Sequence, residues 1–406
     1  MRRIEMIKDS LFEAAFAYKK TRLWNEMWDD EIFAVKFSDG ETGYCSVMGA
    51  AKDLIALGIY IGAEGFQSYR KLSMAMTMES ELKFREYTMC QDCLQLAFEN
   101  KSELIKEEIE EVRRYTRKHG IRLSGKASYP QFLKYRPYYI PWPVEDVKEQ
   151  ERLREAAEAA IELSRLLKLH TKEEIGFSHF EDDPKTVPML ERRGKEYILK
   201  SADLPPVVTE TYPTPQMVDD FTAAKIKKMR KSGSWECEVT RMPRPAQENE
   251  GDVPYFPATV LAADFDTQFI VPVYSTFHYD ENPDELLAFF AEAIITYDSC
   301  PATVSVRDVR TYALLQEFCE SMGIDIRIDA CLPALDDAEL SFLDNFSMQE
   351  PEDIANAFFE ALDQMGEVEE ELPDILVKQL LELAEQEPGI LPDKLARKLG
   401  LEPHEK

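Results

Sequence analysis

The sequence predicts an α+β protein with two main domains followed by an acidic helical tail. Three observations lead to this fold class. Hydrophobic residues make up 44% and aromatic residues 11% of the 406 positions, which is enough apolar material for folded cores and excludes a disordered chain. Runs with the alternating pattern of strands are interleaved with runs of helical periodicity. Finally, the charge changes abruptly near residue 251, which indicates a domain boundary.

The formal net charge of -29 is distributed unevenly along the chain. Residues 1–251 hold 40 Lys and Arg against 43 Asp and Glu, whereas residues 252–406 hold 8 against 34. Because phosphate groups bind to basic surfaces, nucleic acid is an unlikely partner for residues 252–406. A strongly acidic surface instead favours a basic protein partner.

The first domain is predicted to span residues 1–245 and to mix helices with strands. An amphipathic helix is expected within residues 4–28, with Trp24 and Trp28 as anchors in the core. The elements predicted after it are strands 32–37, 43–48, 54–61 and 93–98, helices 101–118 and 144–169, a hairpin 187–200, a helix 216–231 and a strand 235–241. A change of pattern near 170–186 allows a division into two subdomains.

The second domain is predicted to be a compact α/β unit over residues 258–332, reached through a linker at 246–257. The stretch 242–257 holds four prolines and one glycine without periodicity, which is typical of a linker. The predicted elements are strands 258–263 and 268–275, a helix 283–295, a strand 302–306, a helix 309–322 and a strand 324–328. This β-β-α-β-α-β order predicts a mixed sheet. The acidic tail, 333–406, is predicted to form helices at 351–365, 372–386 and 392–399.

Several stretches resemble an uncharacterised bacterial protein family with two domains of unknown function. The segments WDDEIFAV, GYCSVMG and YIGAEGFQSY, between Trp24 and Leu72, resemble its first domain, as do QDCLQLAF and YPQFLKYRPYYIPW. The segments PATVSVRDVRTYALLQEFCESMGIDIRI and LPALDDA resemble its second domain. The resemblance implies a bacterial protein of the cytoplasm, and it implies no reaction, cofactor or catalytic residue.

The sequence also predicts where the protein resides. The N-terminal segment carries Lys8, Asp9 and Glu13 where an export signal would be apolar. No stretch approaches the ~18 consecutive apolar residues of a membrane span, so no membrane association is expected. The seven cysteines are scattered, which fits reduced thiols better than a disulfide framework. We therefore expect a cytoplasmic protein without a cofactor.

An aromatic segment at residues 129–143 is the leading candidate for a binding surface. It is too rich in proline for a central strand, so an extended connector is expected. Aromatic and basic side chains together are typical of protein interfaces, and the candidate binding residues are Tyr135, Arg136, Tyr138, Tyr139 and Trp142. The alternative is that these rings cover the core between helices. Since no complete catalytic set is visible, the sequence favours a non-enzymatic binding or interaction module with an unknown protein partner.

Three carboxylates of the second domain support an alternative function. Asp264 and Asp266 end one predicted strand, and Asp308 follows another. In ribonuclease-H-like nucleases, carboxylates at the ends of neighbouring strands hold two divalent metal ions. The alternative hypothesis is therefore a divergent metal-dependent nuclease in which these three residues are catalytic metal ligands. A simpler interpretation assigns Asp264 and Asp266 to a turn and Asp308 to a helix N-cap.

Two further motifs are less informative. Cys90 and Cys93 form a single CxxC pair, which lacks the two additional ligands of a structural zinc site. His278 follows a predicted strand and has the chemistry of a general base, but the sequence shows no nucleophile for it to activate.

Overall fold

The computed structural model describes residues 7–52, 54–75, 80–178, 185–249 and 251–347. The chain divides into two units, Met1–Leu332 and Pro333–Lys406. The first unit contains two β-sheets, each with its own helices and its own hydrophobic core. In the second unit, the described residues form the helix Pro333–Ser347. The predicted tail helices 351–365, 372–386 and 392–399 lie outside the described residues.

A mixed sheet of eight described strands forms the centre of the first domain. Its strands are, in chain order, β1 (Phe33–Lys36), β2 (Thr42–Met48), β3 (Ile55–Ile61), β4 (Cys93–Glu99), β5 (Tyr129–Tyr135), β6 (Trp142–Pro143), β7 (Thr186–Arg193) and β8 (Glu196–Asp203). Across the sheet the order is β6-β5-β4-β3-β2-β1-β7-β8. Neighbouring strands are antiparallel except β1 and β7, which are parallel. The strand β7 comes much later in the chain than β1, but the two are neighbours in the sheet.

Helices cover parts of both faces of this sheet. They are α1 (Asp9–Thr21), α2 (Gly62–Ala75), α3 (Glu81–Met89), α4 (Lys106–His119), α5 (Val147–Leu167) and α6 (Lys172–Ile175). On one face α1, α4 and α5 share a continuous core that includes Phe12, Leu57 and Leu153. Because strand side chains alternate between faces, Tyr44 and Tyr60 point the other way and pack with α2.

The longest helix shows how the sequence specifies these elements. The side chain of Asp146 accepts hydrogen bonds from the backbone N–H groups of Lys148, at 2.8 Å, and Glu149, at 3.0 Å, and so begins α5. A stripe of small and apolar residues then faces the sheet, including Leu153, Ala157, Ala160 and Leu163. This arrangement agrees with the helix predicted at 144–169.

The aromatic segment differs from its prediction, since Tyr129–Tyr135 form strand β5 instead of an extended connector. The short strand β6 pairs only with Leu133 and Lys134 of β5. At Pro130, therefore, β5 is an edge strand, and edge strands are where a sheet tolerates proline. The proline content of this segment had suggested that it lies outside the sheet.

The second domain is built on a sheet of five described strands. Its elements are α7 (Asp220–Lys228), β9 (Ser234–Arg241), β10 (Ala258–Asp264), β11 (Ile270–Val271), α8 (Asp284–Thr296), β12 (Thr303–Val306), α9 (Val309–Met322) and β13 (Asp325–Ile328). The strand order is β11-β10-β9-β12-β13. Strands β9, β12 and β13 are parallel to one another, whereas β10 is antiparallel to both of its neighbours, β9 and β11. Ile226, Trp235, Phe290 and Phe318 join the three helices and the sheet in one core.

The α+β class and the mixed second sheet are confirmed, and the predicted β-β-α-β-α-β order is present as β10-β11-α8-β12-α9-β13. The boundary differs from the prediction. Strand β9 is central in the second sheet and α7 packs in the same core, although both were predicted to belong to a first domain of residues 1–245. Residues 246–257 thus join two strands of one sheet. A proline-rich loop within a domain has the same composition as a linker between domains.

Candidate functional site

A cavity of about 1010 Å³ lies on the face of the first sheet that carries α2. Its floor is formed by side chains of β2, β3 and β7, including Ser46, Met48, Tyr60 and Val187. Its walls come from α2, α3, the loop 28–31 and the segment that follows α6. Within the described residues, α2 and α3 cover this sheet face only in part, and the cavity lies over the remainder. We refer to it as the first-domain cavity.

Aromatic side chains dominate the wall and floor of the first-domain cavity. The lining rings are Trp28, Tyr60, Phe66, Tyr69, Phe84 and Phe177. Tyr69 stacks on Phe66 with ring centroids 5.5 Å apart and lies 5.1 Å from Tyr60. Trp28 is 62% exposed at the rim, which corrects its prediction as a core anchor, whereas Trp24 is buried as expected. An aromatic surface of this kind accepts apolar groups and attracts cations to the ring faces.

The rim of the cavity is acidic. The described residues that line it include four carboxylates and one lysine, namely Asp29, Asp30, Glu31, Glu173 and Lys172. Lys172 Nζ lies 2.6 Å from Glu31 Oε2, so this lysine is already paired. Asp29 and Asp30 are exposed, and neither takes part in an ion pair within the described residues. The cavity therefore offers negative charge beside apolar surface.

Hydrogen bonds hold the acidic loop in place above the sheet. The Trp28 backbone N–H donates to Glu31 Oε2 at 2.8 Å. The backbone carbonyl of Asp29 accepts from Ser46 Oγ at 2.6 Å and from the Tyr69 hydroxyl at 3.2 Å. The carbonyl thus points inward to the sheet and α2. These hydrogen bonds anchor the backbone of the loop that carries Asp29 and Asp30.

Ionisation in the cavity follows from burial and from neighbouring charge. Partial burial, with the adjacent carboxylates of Asp29 and Glu31, raises the pKa of Asp30 above its usual value. Burial likewise raises the pKa of Tyr69, so its hydroxyl remains a hydrogen-bond donor at neutral pH. A carboxylate crowded by like charges gains from a bound cation, which would lower the pKa of Asp30 again.

The predicted binding residues of the aromatic segment lie partly against the second domain. The Tyr138 backbone N–H donates to the carbonyl of Met89 at 2.8 Å, and the Tyr138 carbonyl accepts from Phe256 N at 2.7 Å. The guanidinium carbon of Arg241 lies 3.6 Å from the centroid of the Tyr138 ring. Tyr139 meets Tyr255 edge to face at 4.7 Å but remains 40% exposed. Much of this surface therefore contacts the protein's own second domain.

The other three residues of that prediction have partners within the first domain. The Tyr135 hydroxyl donates to Gln95 Oε1 at 3.1 Å. Arg136 forms an ion pair with Asp92, and Trp142 packs under Lys134, whose Nζ lies 5.7 Å from the ring centroid. Binding of an external partner at these residues remains a prediction.

The three carboxylates proposed as metal ligands are not brought together. Asp264 is paired with Trp235 at the beginning of β9, because β10 runs antiparallel to β9. Asp308 follows β12, which runs parallel to β9, and therefore lies at the opposite end of the sheet. Asp266 stays near Asp264, since a Cβ at Gly233 would lie 3.7 Å from a carboxylate oxygen of each. Among the described residues, no group of three His, Cys, Asp or Glu is arranged to hold a metal ion.

The local contacts of these carboxylates are those of a turn and a cap. Asp264 Oδ1 accepts from the backbone N–H and the hydroxyl of Thr267, both at 2.8 Å. Asp308 Oδ1 accepts from Thr311 N at 2.7 Å at the beginning of α9, and its Oδ2 lies 2.7 Å from Lys83 Nζ.

A buried network of charges connects α3 to the second domain, and no sequence pattern predicted it. Glu86 in α3 accepts two hydrogen bonds from the guanidinium of Arg310, one of them at 3.0 Å. Lys83, one turn earlier, forms ion pairs with Glu238 and Asp308. Helix α3 therefore lies beside β9 and beside the end of β12. The contributing residues are separated by more than a hundred positions, so local patterns cannot reveal them.

The remaining motifs do not form sites. Cys90 and Cys93 are both buried free thiols, and burial raises the pKa of Cys90 to about 11. Such thiols are weak nucleophiles at neutral pH. His278 lies 3.0 Å from Glu248 Oε1, and this hydrogen bond raises its pKa. An exposed His–Glu pair of this kind is an ordinary surface interaction.

Two separate regions of the chain match family models, and each region contains strands of one of the two sheets. Residues 9–181 match a family model described as Domain of unknown function (DUF7309), and residues 222–343 match one described as Domain of unknown function (DUF6930). Each match covers less than half of the chain. The DUF6930 match includes α7, β9 and residues 246–257, in agreement with the sheet topology. The DUF7309 match ends before β7 and β8, although β7 pairs with β1 and contributes to the cavity floor.

No curated protein matches the chain. Within the described residues, no helix has both the length and the apolar composition needed to cross a membrane.

Proposed function

We propose that this protein is a binding module whose first domain holds a basic, partly apolar segment of a partner protein in the first-domain cavity. One observation carries the proposal: a cavity lined by aromatic rings has four carboxylates and one lysine among the lining residues that the structure describes. Its volume of about 1010 Å³ is at the upper end of the range for small-molecule sites, so it has room for several side chains of a peptide.

The chemistry of the cavity selects among ligands. A lysine or arginine side chain gains from the negative charge at Asp29 and Asp30 and from the ring faces of Trp28 and Tyr69. Apolar neighbours of that side chain gain from burial against Met48 and the other apolar floor residues. An anionic ligand would be repelled by the carboxylates at the rim, and a neutral ligand would gain no electrostatic attraction from them.

The test uses a short acetylated peptide of alternating Lys, Phe and Leu as probe, with a second peptide in which Glu replaces each Lys. We expect calorimetry to detect binding of the Lys peptide alone, with an affinity that falls as salt is added, since exposed charges are screened. A third measurement uses the small amine 4-phenylbutylammonium. If the cavity is a peptide site, it should bind this amine far more weakly than it binds the Lys peptide, whereas a small-amine site should not. Equal binding of the Lys and Glu peptides would contradict the proposal.

A matched pair of variants assigns the binding to this cavity. Replacing Asp29 and Asp30 by Asn should weaken binding of the Lys peptide roughly tenfold, about 1.4 kcal/mol. The control replaces Glu107 and Glu110 by Gln, which removes the same charge from exposed positions of α4 on the other face of the sheet. If both double variants weaken binding equally, the peptide responds only to the net charge of the protein.

A further inference from the structure

Strand β8 forms an open edge of the first sheet. It is eight residues long and stands last in the strand order, after β7. Within the described residues, no strand pairs with its outer side. Its side chains are mostly exposed, among them Ile198 at 37% and Leu199 at 36%. A long exposed edge strand with apolar side chains is a template for pairing with another strand.

The register of the β7–β8 hairpin shows which backbone groups face outward. Arg193 pairs with Glu196 across a two-residue turn, and the two residues closing such a turn bond each other. At the other end of the ladder, Leu204 N donates to the carbonyl of Lys185 at 2.8 Å. Even-numbered residues of β8 therefore bond β7. The odd-numbered residues Tyr197, Leu199 and Ser201 direct their N–H and carbonyl groups away from the sheet.

The side chains along β8 are self-complementary. Glu196, Ile198 and Lys200 lie on one face of the strand, with the apolar residue between an acid and a base. If two copies pair antiparallel with Ile198 opposite Ile198, Glu196 of each copy lies opposite Lys200 of the other. The other face then places Tyr197 opposite Leu199. In this register odd residues meet odd residues, so the outward backbone groups of both strands bond each other.

We infer that the protein forms a two-fold symmetric dimer in which β8 of one copy pairs antiparallel with β8 of a second copy, centred on Ile198. A two-fold contact uses one patch twice, so each favourable pair occurs twice. Lys200 already bonds Glu191 in its own chain, and an ammonium group with three donors can bond a second carboxylate as well. A pairing of single strands buries less than a standard interface, so the dimer is expected to dissociate on dilution.

The experiment is sedimentation velocity of the full chain from about 1 μM to about 1 mM, a range that covers weak association. The wild-type protein should shift from monomer to dimer within this range. Leu199→Pro removes an outward N–H while leaving the even-numbered ladder to β7 intact, so it should remain monomeric. Lys200→Glu should weaken the dimer at least tenfold because it places Glu opposite Glu196.

A charge swap tests the register itself. The double variant Glu196→Lys with Lys200→Glu restores opposite charges across the two-fold axis and should dimerise like the wild type. The control Lys168→Glu, an exposed change of the same size at the end of α5, should leave the dimer unaffected. Circular dichroism confirms that each variant is folded. A monomer at every concentration would overturn the inference, as would a dimer that Leu199→Pro and Lys200→Glu leave unchanged.

Discussion

Glu86 of the first domain and Arg310 of the second domain form a buried ion pair with two hydrogen bonds, Arg310 Nη2 lying 3.0 Å from Glu86 Oε2. Burial alone would raise the pKa of Glu86, but the adjacent guanidinium outweighs it and holds the pKa below its usual value. The carboxylate is therefore charged in the folded protein. This pair joins α3 of the first domain to α9, the helix that follows β12 in the second domain.

Breaking this pair on one side should destabilise the protein strongly. Glu86→Ala leaves Arg310 charged and buried, which typically costs about 3–5 kcal/mol. The measurement is urea unfolding followed by circular dichroism. The double variant Glu86→Leu with Arg310→Met removes both charges and should recover most of the loss. A single variant as stable as the wild type would show that the pair is solvated.

Acid should weaken the same interface through Asp308. Burial favours the protonated form, but Lys83 and Arg310 more than offset it and lower the pKa of Asp308 from 3.8 to about 2. A carboxylate with a lowered folded pKa contributes stability above its unfolded pKa, and this contribution is lost as the pH falls from about 4 to about 2. Asp308→Asn should remove about 2 kcal/mol at pH 7 and little at pH 2. Asp266→Asn, which removes a carboxylate from an exposed position of the same domain, is the control variant.

Trp28 should affect binding without affecting folding. It is 62% exposed at the rim of the first-domain cavity, so Trp28→Ala should change the free energy of unfolding by less than about 0.5 kcal/mol. Binding of the Lys peptide should weaken roughly threefold, as expected for loss of one exposed cation–π contact. Calorimetry with the wild-type and variant proteins measures both quantities. A large loss of stability would mean that Trp28 belongs to the core after all.

Two rings of the aromatic segment should respond differently to truncation. Tyr138→Ala removes the ring that stacks on the buried guanidinium of Arg241, and should cost about 2 kcal/mol of stability. Tyr138→Phe keeps the ring and should cost little. Trp142→Ala, at the end of the sheet, should be milder than Tyr138→Ala. Thermal unfolding of the three variants provides the comparison, and equal losses for Tyr138→Ala and Trp142→Ala would contradict this assignment.

The sequence predicted elements wherever the determinants are local. Short apolar runs indicated β2, β3 and β4, the alanine-rich stripe indicated α5, and Arg193-Gly194 indicated the β7–β8 turn. Pairings between distant segments could not be predicted this way. The parallel contact of β1 with β7 joins residues about 150 positions apart, and nothing in either strand specifies the other.

The candidate site shows the same limit. The cavity floor combines β2, β3 and β7, and its rim lies in the loop before β1, so no continuous segment carries its pattern. The local signal was the Trp28-Asp29-Asp30-Glu31 run, an aromatic residue beside three acids. Trp28 was interpreted as a core residue because its spacing from Trp24 equals one helical turn. In the structure α1 ends at Thr21, so that spacing has no structural meaning.

The pairing of β1 with β7 also determines how the protein can be divided. A fragment limited to residues 9–181, the range of the family match, would lose β7 and β8. It would expose the hydrogen-bonding groups of β1, a strand whose residues are almost entirely buried, as a new sheet edge. Such an edge promotes aggregation. A fragment that ends after Leu204 keeps β7 beside β1, so this edge stays covered. We expect this fragment, unlike the one that ends at residue 181, to remain monodisperse at low concentration.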